Sequence, residues 1–323
     1  MAGRPDALRR LEPLRAAHAT LRPVRVFESA VVDARLGPWN EALESAAGLL
    51  LVGDRRRSPR HALPGIFARA PSGRRVPIGW LPEVPERLAA FAEAAASVVR
   101  RRAAGRVGGP LALLGQWDER VLRLISDLEQ RLGTQGGVWE LFRWSAERIT
   151  RMEMLKALGT GPAAALYFGH GRPVGWAGYH GVRAEHLDAN GGVPLGAVLS
   201  ITCHTANRLR VGLSFSEELV LRGVAAAAVG ATSRTVHLEN GLLMVKLTGA
   251  LRESNPGTLA ELLLSADLTE TEATQTYRII GDPLAPLVAD ALASERARAV
   301  FAPAPNDPLP PLPGEAAPVA RND

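Results

Sequence analysis

At 323 residues, with 46% hydrophobic and 22% charged side chains, the chain has the length of one large α/β domain with an elaboration, or of two small domains. The net charge of +5 is modest, and only two of the 38 basic residues are lysines, Lys156 and Lys246. The basic runs Arg55–Arg57 and Arg100–Arg102 carry no interleaved aromatics, which argues for solvated faces and against a nucleic-acid partner. A single cysteine excludes an internal disulfide, and no run approaches the roughly 20 apolar residues of a membrane span. The first residues lack the apolar stretch of a signal peptide, so the expected compartment is the cytoplasm. The abundance of Ala, Gly and Arg reads as a high-GC, bacterial coding bias.

In chain order, residues 1–23 form an Arg/Ala/Leu stretch that reads as a helix or a loose arm. Short β-like pieces follow at Val24–Phe27, Gly48–Val52, Gly65–Ala68 and Arg75–Trp80, with a polar, loop-like segment from Arg55 to Pro64. Pro85–Arg102 is an amphipathic helix, with Leu88, Phe91, Ala95 and Val98 recurring at helical spacing. Glycines at 105–109 punctuate the chain there. The expected organisation is a smaller N-terminal α/β region (1–109), a main α/β domain (110–300) and a Pro-rich, disordered tail (301–323).

Beyond residue 109 strands and helices alternate. Pro110–Leu114 is a strand, Asp118–Leu132 a helix, and Val138–Leu158 a second helical stretch closed by Gly159. Ala163–Phe168 and Gly196–Thr202 are apolar runs bounded by glycine or polar residues. A helix over Ser216–Arg222, a strand over Val224–Val229 and a helix over Asn240–Arg252 complete the pattern. This rhythm predicts a mostly parallel sheet with helices on both faces.

Two of these strands carry chemistry at their ends. Ala163–Phe168 runs into Gly169-His170-Gly171, and Gly196–Thr202 runs into Cys203-His204. In parallel sheets the residues past the carboxyl ends of the strands line the ligand crevice. If the strands are neighbours, a thiol meets an imidazole there: a nucleophile and a group to manage its proton. The N–H groups of Gly171 and Cys203 are candidates for an oxyanion hole. No spacing among His180, His186 and His237 supports a metal, and no cofactor is expected. Gly212–Ser216 is not a Gly-x-Ser-x-Gly elbow, so a serine hydrolase has little support.

Four segments in order, Tyr167–Gly171, Leu199–Thr205, Gly223–Thr232 and Ile279–Pro283, resemble the gingipain-type branch of the caspase-like cysteine peptidases. That resemblance implies a caspase-like α/β fold and a cysteine endopeptidase acting through a His170/Cys203 dyad and a thioester acyl-enzyme. It also implies a substrate pocket near Thr232, Ser233, Arg234 and Thr235, with Trp176 and His204 as further candidate walls. Arg234 suits an acidic substrate side chain, whereas a basic one would need Glu239 or Asp188. The implied partner is a protein or peptide substrate, with residues 1–109 as the surface for a regulatory protein partner. The alternative is a catalytically silent binding or scaffold module of the same fold.

Overall fold

The computed structural model describes residues 5–27, 40–133, 138–188, 192–268 and 275–301. The tail expected to be disordered therefore lies outside the described residues, apart from its first. Nine strands build one mixed sheet: β1 (Leu49–Asp54), β2 (Phe67–Arg69), β3 (Arg75–Glu83), β4 (Gly109–Gly115), β5 (Trp139–Arg143), β6 (Ala164–Phe168), β10 (Leu195–Ile201), β11 (Ala225–Ala231) and β12 (Tyr277–Gly281). Three two-residue strands, β7 (Gly171–Arg172), β8 (Gly175–Trp176) and β9 (Val182–Arg183), form a small separate sheet.

The main sheet has the order β1-β3-β12-β11-β10-β6-β4-β5, with β2 added alongside β3. From β11 to β5 every neighbour is parallel, as the alternating rhythm predicts. The direction reverses once along this path, at the antiparallel β11–β12 pair, and β3 and β1 then run parallel to β12. Strands from before residue 109 thus share one sheet with those after it. The glycines at 105–109 lead straight into β4 and separate no two sheets.

Both faces are covered because the inner strands are apolar throughout; every residue of β6, β10 and β11 is buried. The helices are α1 (Pro5–Arg10), α2 (Glu12–Ala19), α3 (Asn40–Ser45), α4 (Pro59–Ala62), α5 (Pro85–Ala103) and α6 (Glu119–Gly133), then α7 (Arg151–Leu158), α8 (Ala184–Asp188), α9 (Phe215–Leu221), α10 (His237–Ser254), α11 (Leu259–Ser265) and α12 (Ala293–Val300). The N-terminal Arg/Ala/Leu stretch is helical, and α1 and α2 pack on α5. No helix among the described residues is long and apolar enough to cross a membrane.

Three expectations are corrected. Val138–Leu158 is not one helix: Trp139–Arg143 pairs in parallel register with β4. The helix there starts at Thr150, whose hydroxyl and Glu153 close a capping box. The polar segment Arg55–Pro64 contains the short helix α4. Val24–Phe27 forms no strand.

Candidate active site

Strands β6 and β10 are parallel neighbours, with Phe168 opposite Ile201 in register. Their carboxyl ends therefore deliver Gly169-His170-Gly171 and Thr202-Cys203 to the same edge of the sheet. Thr202 Oγ1 donates to Gly169 O at 2.7 Å, tying the two exits together. A Cβ on Gly171 would lie 2.4 Å from Cys203 O, so only glycine permits this approach. Gly169 has φ +156°, and a Cβ there would meet both Gln116 Cβ and Tyr167 Oη at 2.7 Å.

The backbone of His170 is pinned on both sides. Its N–H donates to Gln116 Oε1 at 2.8 Å, and its carbonyl accepts from Tyr167 Oη at 3.0 Å and Ala177 N at 2.9 Å. The residue itself is exposed. Gln116 follows β4, and Tyr167 Oη is held in turn by Gly178 N–H at 3.1 Å.

The Cys203 thiol is half-buried and is held by Thr235 rather than by His170. Thr235 N donates to Sγ at 3.3 Å, and Thr235 Oγ1 also lies 3.3 Å from it. Behind this contact, Asn240 Nδ2 donates to Thr235 Oγ1 at 2.8 Å, and Tyr277 Oη donates to Asn240 Oδ1 at 2.8 Å. Tyr277 is fully buried, and burial pushes its phenol well above the ordinary range. It stays a neutral donor at the end of a chain that runs β12, α10, Thr235, Cys203. Sequence reasoning took Asn240 as no more than the start of a helix and had no signal for this relay.

His204 sits in the left-handed region at φ +63°, a costly conformation for a side chain with a Cβ. Its N–H donates to Ser233 O at 3.0 Å, and its Nδ1 lies 3.1 Å from Asn207 Nδ2. Burial, with the nearby Arg234 guanidinium, pulls its imidazole below the usual histidine range. Its ring, one residue after the nucleophile, is fixed in place by Asn207.

The other candidates separate. Thr235 touches the thiol, Ser233 holds His204, and the exposed Arg234 lies beside His204. Thr232 is buried, and both its N–H and its hydroxyl donate to Thr276 O at 3.0 Å, which pins the end of β11 to the approach of β12. Trp176 does not line the cleft. It is 2% exposed, stacks on Tyr167 with ring centroids 4.6 Å apart, and donates Nε1–H to Ser200 Oγ at 2.9 Å, deep in the core. Asp188 pairs with Arg222 at 2.9 Å. It stands near Leu195 and Val224, at the amino ends of β10 and β11, the edge opposite Cys203.

A cleft of about 480 Å³ opens between the β1–α4 segment and the turn that follows Cys203. Arg56, Arg57, Arg60 and His61 line one side, Ala206 to Leu209 the other, with Thr232 between them. The Arg55–Arg57 run, read in sequence as a solvated face, contributes two of these walls.

The mixed sheet, with thiol and imidazole at the exits of adjacent parallel strands, defines a caspase-like α/β fold. Among solved structures it is similar to the complex of Porphyromonas gingivalis RgpB pro- and mature domains, with TM-score 0.61 and 15% identity over 88% of this chain and 76% of that one. The crystal structure of the Arg-specific cysteine proteinase gingipain R is also similar, with TM-score 0.55 and 14% identity over 79% of this chain and 67% of that one. No curated protein matches the chain in sequence. Residues 130–288, about half of the chain, match peptidase family C25.

Proposed function

We propose that the chain is a cysteine endopeptidase in which Cys203 is the nucleophile and His170 the acid–base residue. The observation that carries this reading is the junction of the two strand exits, with Thr202 Oγ1 on Gly169 O and Gly171 packed on Cys203 O, inside the segment that matches peptidase family C25. It keeps His170 and Cys203 side by side without a hydrogen bond between thiol and ring. A peptide lying between them then takes the sulfur on one side and the imidazole on the other, and catalytic contacts of this kind commonly tighten only with substrate bound.

In the first step His170 takes the Cys203 thiol proton, a C–S bond forms as the thiolate adds to the scissile carbonyl, and the carbonyl π bond opens to leave the negative charge on oxygen. The Thr235 N–H supports a negative sulfur before attack. Ala177 N donates to His170 O, which makes Gly171–Trp176 the non-hydrogen-bonded pair of the β7–β8 ladder and leaves the Gly171 N–H outside it. That N–H and the Cys203 N–H serve as oxyanion donors. Collapse breaks the C–N bond, with His170 giving a proton to the leaving amine. Water then attacks the thioester, His170 takes its proton, and the carboxylate product leaves the free thiol.

The test is cleavage of a denatured protein pool, read by mass spectrometry of the fragments. Cleavage by the wild-type chain and none by an equally folded Cys203→Ala chain supports the reading. Equal cleavage by both would overturn it.

A further inference from the structure

Arg278 is a buried cation without an anion. It is 5% exposed, on β12, and among the described residues its guanidinium meets no carboxylate. Its Nη1 donates to two backbone carbonyls, those of Gln275 and, at 2.8 Å, Tyr277. Its buried Nε has no partner among the described residues. Burial, with Arg60 close by, lowers its guanidinium to about 10. A charge kept in this state is costly unless something pairs with it.

The surroundings of Arg278 identify what is missing. It stands opposite Gly230 in the β11–β12 ladder, so the two share a face of the sheet. A Cβ on Gly230 would lie 2.5 Å from Ser216 Oγ and 2.6 Å from Thr205 Oγ1. Those two hydroxyls are fully buried, and neither has a hydrogen-bond partner among the described residues. Arg60, which approaches Arg278, lines the cleft, and among the described residues no acidic side chain lines it. Of its other arginines, Arg208 is neutralised by the buried Glu217, which it grips through Nε at 2.8 Å and through Nη2. Asp54, at the end of β1, spends Oδ1 on Arg56 N at 2.9 Å.

We propose that the arginine-lined cleft is a substrate subsite that takes a carboxylate side chain, Asp or Glu, of the protein being cut, with Arg60 as its principal charged contact. The assignment rests on the peptidase reading of the same edge. It moves acidic selection away from Arg234, which lies beside His204 and does not line the cleft. Three features support it. The cleft adjoins the turn that begins three residues after the nucleophile. Among the described residues no carboxylate pairs with Arg60. The unpaired Arg278 lies behind Arg60 and reinforces the positive potential there, which a low-dielectric wall concentrates. The N-terminal segment thereby acquires a part in substrate choice, since Arg56 and Arg57 come from the β1–α4 connection and Arg60 from α4 itself.

Two readouts on the full chain keep this proposal apart from the peptidase reading. The first is equilibrium binding to the Cys203→Ala chain of two fluorescein-labelled random peptide pools, one with Asp or Glu and the other with Asn or Gln at a fixed central position. The second is labelling of Cys203 in the wild-type chain by a thiol-reactive peptide without acidic residues. The acidic pool should bind about tenfold more tightly than the amide pool, the worth of one charged hydrogen-bonded contact. Arg60→Gln, at an exposed position that leaves the core untouched, should erase most of that preference. Arg278→Met, checked for folding, should reduce it. Equal binding of the two pools, or an acidic preference unchanged by Arg60→Gln, would overturn the subsite even if Cys203 labels readily. Acidic preference without labelling of Cys203 would instead uphold the subsite and count against the peptidase.

Discussion

His18 Nε2 lies 2.8 Å from Asp282 Oδ2, so helix α2, near the start of the chain, is clasped to the Gly-Asp-Pro turn that leaves β12. Both residues are buried. Asp282 also accepts from Leu284 N at 2.9 Å, the local turn-capping role its Gly-Asp-Pro setting suggests. Burial pulls the His18 imidazole down and Arg22 opposes its charge, but the charge and hydrogen bond of Asp282 outweigh both and leave it raised. A histidine raised on folding contributes its full stability below its unfolded value of about 6.5 and loses it as pH climbs through the higher folded value.

The clasp therefore predicts a melting temperature that falls between neutral and mildly alkaline pH. In His18→Ala that part of the pH dependence should vanish. Removing one partner of a buried pair should also cost on the order of 3 kcal/mol. Thermal melts of both chains from pH 5 to 9 check this; parallel curves would show that the pair contributes no linkage.

Gly171→Ala should nearly abolish turnover. Its Cβ would fall 2.4 Å from Cys203 O and 2.6 Å from Thr202 Cγ2, forcing the two strand exits apart. A backbone shift of this kind costs about 1–3 kcal/mol of stability, which denaturant unfolding measures, while turnover falls far more.

His170→Ala should lower turnover by about 10²–10⁴-fold, the usual worth of general acid–base catalysis. His204→Ala should cost much less, because the ring of His204 is neutral and engaged with Asn207. Steady-state kinetics on folded variants decides between them. A larger loss from His204→Ala would reverse the assignment.

Thr235→Val removes the hydroxyl beside Sγ but keeps the N–H donor. Turnover and the rate of Cys203 alkylation should both drop about tenfold, the worth of a hydrogen bond to a charged group. Thr235→Ser should restore both. If valine and serine behave alike, the Asn240–Thr235 relay does not act on the thiol.

Much of the sheet was legible because its central strands are short apolar runs ended by glycine or by polar residues. Ala163–Phe168 and Gly196–Thr202 show their type and their chemical ends together. Trp139–Arg143 misled because, although Gly136 and Gly137 stand just before it, no glycine or proline separates it from the helix capped by Thr150. The Thr150-x-x-Glu153 capping box was the available clue. Trp176 could not be placed because its burial depends on stacking against Tyr167 on another strand. The arginine-lined cleft was hidden for the same reason. Arg56 and Arg60 look solvated in sequence and meet the post-Cys203 turn only because β3 docks beside β12.

The central claim, that this sheet edge arms a nucleophilic thiol, is tested most directly by the alkylation rate of Cys203. As the only cysteine, it makes every labelled molecule unambiguous. A peptidyl thiol-reactive probe, followed by intact-protein mass spectrometry, should modify the native chain at one site much faster than the unfolded chain at the same pH. The advantage should shrink in Gly171→Ala. A native rate equal to or below that of the unfolded chain would contradict the account.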